Sequence, residues 1–586
     1  MRLLFVFLLM FTTKNLFAEE VSIIELHSTK SLDQLVLDQE TINIEKNEIE
    51  DTLEQNTEEN NQDEQSLEIS SNYENEIIDV SNFWDTIDIN KINFYLNNIN
   101  KINSPPLYNE FINLMITFNL DNNQNKNEII FLFIKKLVEL GEIQKAYSLI
   151  KGMEFLEDNL IFYKTIELNY LFSTYQLNDA CELKNEFSSQ NLKLDNFYLE
   201  KTDIFCLVME DKLNEAELLN SILVETETVN DEYFQSLLNL IVNGGDEDKN
   251  NTINLPTGYS ENLIFLYSAM HRIAELPLGD KFLEIDPNNL SIPIILSNAS
   301  KMELRLKAAN KAYNSNLISV ESLAALYQSV DFNSEQLNNS VKTLQNLSGN
   351  NELMMAYYFQ LANIQIFPSS RLSVVLDFWK FAESIGLEKI SYKLTDNIVK
   401  SLEPSIDNSN FGAKIATALI HNEEFERALK WIIFAENSNV SNAELEKVKF
   451  LYQLYQSDDG TIFIQYLKNK YQTLENDSNS NLKEILYVLL NVLDTENNYN
   501  SLLTFDKVID ERMTPTIYIN SEIEKSIINK DELNLFMLLL VSINDKEWNQ
   551  IHPEHLKLVL EGIKFYKNSE LLKNTLLNIF NNTKIF

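Results

Sequence analysis

The sequence predicts an all-α chain: an irregular α-solenoid of antiparallel helical hairpins, preceded by a disordered acidic segment. Three observations carry that expectation. Only 11 glycines and 10 prolines occur in 586 residues, against roughly 12% in an average protein. All-β folds need turn residues every 8–12 positions or so, which this composition cannot supply. Apolar residues recur at helical spacing over most of the chain, and 44% hydrophobic residues provide ample core. Short polar breaks, such as Ser188-Ser189-Gln190-Asn191 and Ser457-Asp458-Asp459-Gly460, separate runs of about 10–15 residues, so neighbours should pack antiparallel. About 25 such helices exceed what one bundle can surround, whereas stacked hairpins bury each face on the next.

The N-terminus reads as an export signal. Met1-Arg2 is a short positive start, Leu3 to Phe11 is unbroken apolar, and Ala18 before Glu19-Glu20 is a cleavage point. Residues 1–18 therefore read as a signal peptide. Nine apolar residues are too few for a hydrocarbon core that needs about 20, so no transmembrane segment is expected after cleavage. The asparagine content fits an AT-rich bacterial coding style, which makes the compartment periplasmic or secreted.

Residues 19–80 read as an acidic, disordered linker. Between 31 and 80 there are 16 acids, one lysine (Lys46) and one aromatic (Tyr73). Such a stretch buries too little apolar surface to offset chain entropy, and its charges repel. With 88 acids against 47 Lys plus Arg, the chain lacks the basic surface that nucleic acid requires.

From Phe83-Trp84 the rhythm becomes helical. Phe131, Ile134, Leu137, Val138 and Leu140 share one face, as do Ile161, Ile166, Tyr170 and Leu171. The break at 244–252, which holds the Gly244-Gly245 pair and leads to Pro256, and a weaker one at 404–410 divide the array. The parts are 81–243, 253–403 and 409–586.

Three segments align without gaps: 138–146, 172–180 and 208–216. In each a polar turn precedes an apolar residue (Ile143, Leu177, Leu213) and then an alanine (Ala146, Ala180, Ala216). The alanines recur at 34 and 36 residues, and Asn422 to Trp431 repeats the pattern around Phe425 and Ala428. Gly141 occupies the first turn, where Tyr175 and Asp211 stand in the next two. A period near 34 with a small residue early in the second helix resembles the tetratricopeptide repeat. The small residue lets two antiparallel helices approach. The resemblance implies repeat packing at Gly141, Ala146, Ala180, Ala216 and Ala428, and a surface for protein partners. Asp286-Pro287-Asn288-Asn289 resembles the junction between such repeats. Taken whole, the chain is similar to a group of uncharacterised exported bacterial proteins, some carrying an antifreeze-glycopeptide label. The Ala-Ala-Thr repeats that such an activity requires are missing.

Motifs for chemistry are sparse. There is no Walker loop, no Gly-x-Ser-x-Gly and no dinucleotide fingerprint. His552-Pro553-Glu554-His555 is not a zinc helix, because the order is wrong and no third ligand is recognisable. His271 and His421 are expected as structural residues at helix edges. Two acidic stretches fail the EF-hand pattern: the one from Asp121 has Lys126 and Leu132 at its sixth and twelfth positions, and the one from Asp246 has Asn251 and Thr257. Glu383-Ser384 lacks the second motif that lytic transglycosylases carry. No catalytic, cofactor-binding or metal residue is assigned. Trp84, Trp379, Trp431, Trp548 and Tyr357-Tyr358 sit at helical spacing as core, with a peptide groove as the alternative.

Cys181 and Cys206 flank a turn almost symmetrically. An antiparallel hairpin would bring them close, and an oxidising compartment would let them form a disulfide. Two buried free thiols are the alternative. The function expected is an exported, non-enzymatic scaffold binding protein partners in the cell envelope. An enzyme acting on envelope polysaccharide through a non-local site, or an acidic cation-binding extracellular structural protein, are the alternatives.

Overall fold

The computed structural model describes Trp84 and residues 87–583, apart from short stretches of which 153–158, 190–196, 244–261 and most of 495–513 are the longest. The expected signal peptide (1–18) and acidic linker (19–80) lie outside the described residues. Among the described residues the chain is all-α: 29 α-helices and no strand.

Two helices lead, α1 (Ile89–Asn98) and α2 (Pro105–Ile116). Asp88 caps α1 through the Asn90 amide, and Pro105 begins α2 at a position where its missing N–H costs nothing. A run of hairpins follows: α3 (Lys126–Glu139) with α4 (Ile143–Lys151), α5 (Leu160–Ser173) with α6 (Leu177–Ser189), α7 (Tyr198–Met209) with α8 (Leu213–Thr226), then α9 (Glu232–Asn243). Each helix from α3 packs on its successor through α8, and α9 packs on α7.

The next helix, α10 (Leu263–Ile273), does not extend this run. It folds back and packs on α5, α7 and α9, the first helices of successive hairpins. Two features follow. Nine consecutive residues of α10, Leu263 to His271, are buried. In α5, eleven consecutive residues from Tyr163 to Ser173 are buried, including Lys164, Glu167 and Asn169, while Ile161 is 40% exposed. The one-faced stripe expected for α5 is absent because the helix is covered from both sides, by its hairpin partners and by α10.

Beyond α10 come the short α11 (Asp280–Ile285) and α12 (Ser291–Leu296), then α13 (Met302–Asn314), α14 (Val320–Gln328), α15 (Ser334–Asn338), α16 (Ser340–Asn346), α17 (Asn351–Ile364) and α18 (Pro368–Ser384). After α19 (Glu388–Leu394) and α20 (Asp396–Lys400), a 3-10 turn at Ile406–Phe411 leads into α21 (Gly412–His421). Both α19 and α20 pack on α21, so helices meet across 404–410.

The last segment holds α22 (Phe425–Asn437), α23 (Asn442–Gln456), α24 (Thr461–Leu474), α25 (Ser480–Leu493), α26 (Ile517–Asn529), α27 (Glu532–Ile543), α28 (Pro553–Phe565) and α29 (Ser569–Thr583). Here the array closes on its own beginning. Helix α29 packs on α2, and α27 packs on α1. The Tyr95 hydroxyl donates to Asn534 Oδ1, and that of Tyr566 donates to Glu110 Oε1 at 2.9 Å. Asn544 Oδ1 accepts the amides of Asn100 and Lys101 at 2.7 and 3.0 Å, and the Asp545 amide donates to Lys101 O at 2.8 Å. Trp84 sits fully buried nearby, its indole N–H donating to Leu114 O at 2.7 Å and its ring 4.7 Å from that of Phe133. Both ends of the array are thereby covered by each other, which removes the exposed terminal faces that open solenoids must cap.

Candidate functional site

The repeat residues are set by backbone geometry. Gly141, Tyr175, Asp211 and Glu423 occupy aligned turn positions, and all four have φ between 61° and 79°. Each turn closes the same way. The amide of the residue after the turn residue reaches back to a carbonyl of the first helix's last turn, as from Glu142 to Leu137 O, Gln176 to Leu171 O, Lys212 to Leu207 O and Glu424 to Leu419 O, all at 2.8 Å. This is a Schellman closure, which satisfies end carbonyls and turns the chain sharply into the second helix. The alanines that follow are buried: Ala146, Ala180 and Ala428 at 0% exposure, Ala216 at 3%. At Gly412 a Cβ would lie 3.1 Å from Ala435 Cβ, so α21 and α22 meet through small residues.

Three of these left-handed positions carry side chains at a cost of roughly 1 kcal/mol each. Glu423 is exposed, so Glu423→Gly is expected to stabilise the chain by about 1 kcal/mol in urea unfolding. Tyr175→Gly should not, because the Arg272 guanidinium lies 3.7 Å over its ring.

Cys181 and Cys206 form a disulfide, with Cα atoms 5.6 Å apart, joining the first half of α6 to the last turns of α7. A closed loop of this length stabilises by about 3 kcal/mol in the chain-entropy model. Reduction should lower the unfolding midpoint accordingly. Full alkylation of the native protein without reductant would show the bond absent in solution.

Beneath α10 lies a buried polar cluster. Lys201 of α7, 2% exposed, reaches Glu227 Oε1 and Asp231 Oδ2, both at 2.8 Å. Asp231 also caps α9 through the Phe234 amide at 3.0 Å and accepts from the Tyr267 hydroxyl of α10. Burial pushes the Asp231 carboxyl up, but Lys201, the Phe234 amide and Tyr267 together outweigh it and hold the group below its usual range. Burial beside that carboxylate drives the Tyr267 hydroxyl far upward, so it stays protonated and donates. The Tyr233 ring stands edge-on to that of Tyr267, with centroids 4.9 Å apart, and its hydroxyl donates to His271 Nε2 at 2.6 Å. His271 Nδ1 donates to Pro277 O at 3.2 Å. Those two bonds fix a neutral tautomer, and burial lowers the imidazole pKa to about 4.

A ladder of ion pairs leads to this knot along the first array. Lys151 of α4 meets Glu167 of α5 at 2.8 Å, Lys164 of α5 meets Glu186 of α6 at 2.9 Å, and Lys184 of α6 meets Asp203 of α7. Each pair ties one helix to the next. The sequence does not single out these lysines, because no local pattern separates a bridging lysine from a solvated one.

The other sequence candidates are dispersed. His552 is the N-cap of α28, its Nδ1 accepting the Glu554 amide. His555 is buried against Ser542 Oγ at 2.9 Å, so the two histidines serve separate ends. His271 stands in the last turn of α10 but is buried rather than at the surface, and the His421 ring stacks on Tyr392 at 5.4 Å. Ser384 Oγ donates to Phe381 O, closing α18. Trp84, Trp379, Trp431, Trp548 and Tyr357 are all buried, so the groove alternative for them is not what the packing gives. The failed EF-hand stretches fall partly (121–132) or wholly (246–257) outside the described residues. Among the described residues no group of three or more His, Cys, Asp or Glu side chains could hold a metal ion, and no helix is long and apolar enough to cross a membrane.

Large apolar side chains stand in solvent at a few places. The α17–α18 connection exposes Ile366 (79%) and Phe367 (71%), and α8 exposes Leu218 (63%) and Ile222 (49%). Read one helix at a time, both look like ordinary core residues. Compared with family models, curated proteins and solved structures, the chain matches none.

Proposed function

We propose that this chain is an exported, non-enzymatic α-solenoid, built on tetratricopeptide-like hairpins, that binds protein partners in a bacterial cell envelope. The observation that carries this reading is the exposure of Leu218, Ile222, Ile366 and Phe367 in adjacent pairs on an ordered array. Apolar side chains held in water by an ordered scaffold mark interaction surfaces. The Cys181–Cys206 bond supports an oxidising compartment, and the apolar leader at 1–18 supports the route to it.

The partner surface differs from the one that open repeat arrays use. Helix α10 already lies along the first helices α5, α7 and α9, where a groove would run. Partners then bind the outward faces. Cross-linking of the tagged chain in periplasmic extract, with mass spectrometry of the adducts, is expected to yield partner cross-links that Phe367→Ser or Leu218→Ser reduces. Recovery of self-adducts only, in both extract and culture medium, would sink the reading.

A further inference from the structure

The outer face of α8 departs from its own repeat. Counting from the buried alanine, the second and sixth following positions are Ser148 in α4 and Gly152 just past its end, and Glu182 and Glu186 in α6. All four are exposed. In α8 the same two positions are Leu218 and Ile222, equally exposed. The fold therefore does not need apolar groups there; two hairpins of the same architecture do without them. Helix α8 itself packs chiefly on α7, and its only buried residues are Ala216 and Leu223.

Spacing turns these two residues into a stripe. Glu215, Leu218, Ile222 and Glu225 stand at i, i+3, i+7 and i+10, so they align on one face with a carboxylate at each end. Both glutamates are exposed, and Glu215 lies in the field of Lys212, whose ammonium pairs with Glu210 at 2.7 Å. Resting on the scaffold reading above, we propose that this face docks a basic amphipathic helix of a partner protein. Two leucine-like residues three or four positions apart would seat between Leu218 and Ile222, and a lysine or arginine on either flank would meet Glu215 and Glu225.

Charge argues for that occupant against the others. A second copy of α8 would set Glu215 against Glu225 in antiparallel register, or each glutamate against its own twin in parallel register. The chain's own segment 31–80, with 16 acids and one lysine, would be repelled in the same way. A helix is favoured over an extended strand because α8 offers a ridge of side chains and no unpaired backbone.

The test uses the full mature chain and a synthetic 18-residue helix with leucines at i, i+3, i+7 and i+10, lysines on the flanks, and a glutamate-for-lysine counterpart. The lysine peptide is expected to bind wild type at about 50 mM salt, where screening is weak, and the glutamate peptide is not. Leu218→Gln with Ile222→Gln, which leaves every charge in place, should weaken binding at least about tenfold, the loss expected when two apolar anchors are removed. Glu215→Lys with Glu225→Lys should reverse the peptide preference. Lysine-peptide binding that is unchanged in the glutamine variant reflects the overall negative charge and overturns the proposal. A concentration-dependent dimer of wild type that the glutamine variant abolishes overturns it in favour of a second copy. Loss of peptide binding in the α8 variants with partner cross-links intact would leave the scaffold reading standing on another surface. Peptide binding without any cellular cross-link would fail the scaffold reading alone.

Discussion

Between pH 6.5 and pH 4 the folded chain should lose about 3 kcal/mol of stability for each of its two fully buried histidines. His271 and His555 are each 2% exposed, and burial lowers both to about 4. The unfolded chain takes up these protons near pH 6.5, while the folded chain resists until about pH 4. The stabilisation is thus complete above 6.5 and disappears as the pH falls through 4. His421 shifts in the same direction, lowered to about 4 by burial and then by Lys389 and Lys447. Asp231, held below its usual range, prolongs the decline under pH 4 as its own partnership is protonated away. Urea midpoints at about pH 7, 5.5 and 4.5, spanning the window between the two pKa values, measure the slope. His271→Gln keeps a donor for Pro277 and an acceptor for Tyr233, so it should flatten the slope without abolishing folding. A midpoint independent of pH over this range would contradict the buried placement of both rings.

Lys201→Met should cost about 3–5 kcal/mol, the largest single-site loss expected in the first array. Removing the ammonium leaves the side chains of Glu227 and Asp231, 4% and 14% exposed, facing each other without a cation. The cost lies in the uncompensated carboxylates rather than in the lost pair. Lys201→Met combined with Glu227→Gln and Asp231→Asn should therefore recover most of the loss, since the carboxamide replacing the Asp231 carboxylate would keep an acceptor for the Phe234 amide. Equal losses in the single and triple variants would mean that the ion pairs themselves stabilise. Because α10 rests on this cluster through Tyr267, the single variant should also expose α10 to proteolysis before the rest of the chain.

Features carried by nearby residues were legible in the sequence. The Schellman turns and the buried alanines at 146, 180, 216 and 428 depend on residues within about nine positions, a span over which helical spacing alone marks them. The scarcity of glycine did not prevent sharp turns, because Tyr175, Asp211 and Glu423 adopt the left-handed conformation themselves. The cysteine pairing was only half legible, because a hairpin brings Cys181 and Cys206 close without deciding between a disulfide and two buried thiols on different faces. What sequence could not disclose is carried by distant partners. Lys201 and Asp231 are 30 residues apart, Asn169 and Asn262 are 93 apart, and Tyr95 and Asn534 are 439 apart. The return of α10 onto α5 erases the amphipathic stripe that would have marked an outer helix. It also places an ordinary stretch of the chain where an open array offers a groove. The outward apolar pair of α8 looks like any helical core pair when that helix is read alone, and stands out only once it is set against the polar or small residues at the aligned positions of the two preceding repeats.

The central structural claim is that the array closes, with α1 and α2 held by α27 and α29. A zero-length carbodiimide cross-link tests it directly. Lys101 Nζ lies 3.5 Å from Asp545 Oδ1, and both side chains are about two-thirds exposed, so the reagent can reach them. Lys400 and Glu424, 2.7 Å apart within the array, provide the control. The monomer should yield both the Lys101–Asp545 and the Lys400–Glu424 linked peptides. A monomer that gives the Lys400–Glu424 link but never the Lys101–Asp545 link would show that the ends stand apart.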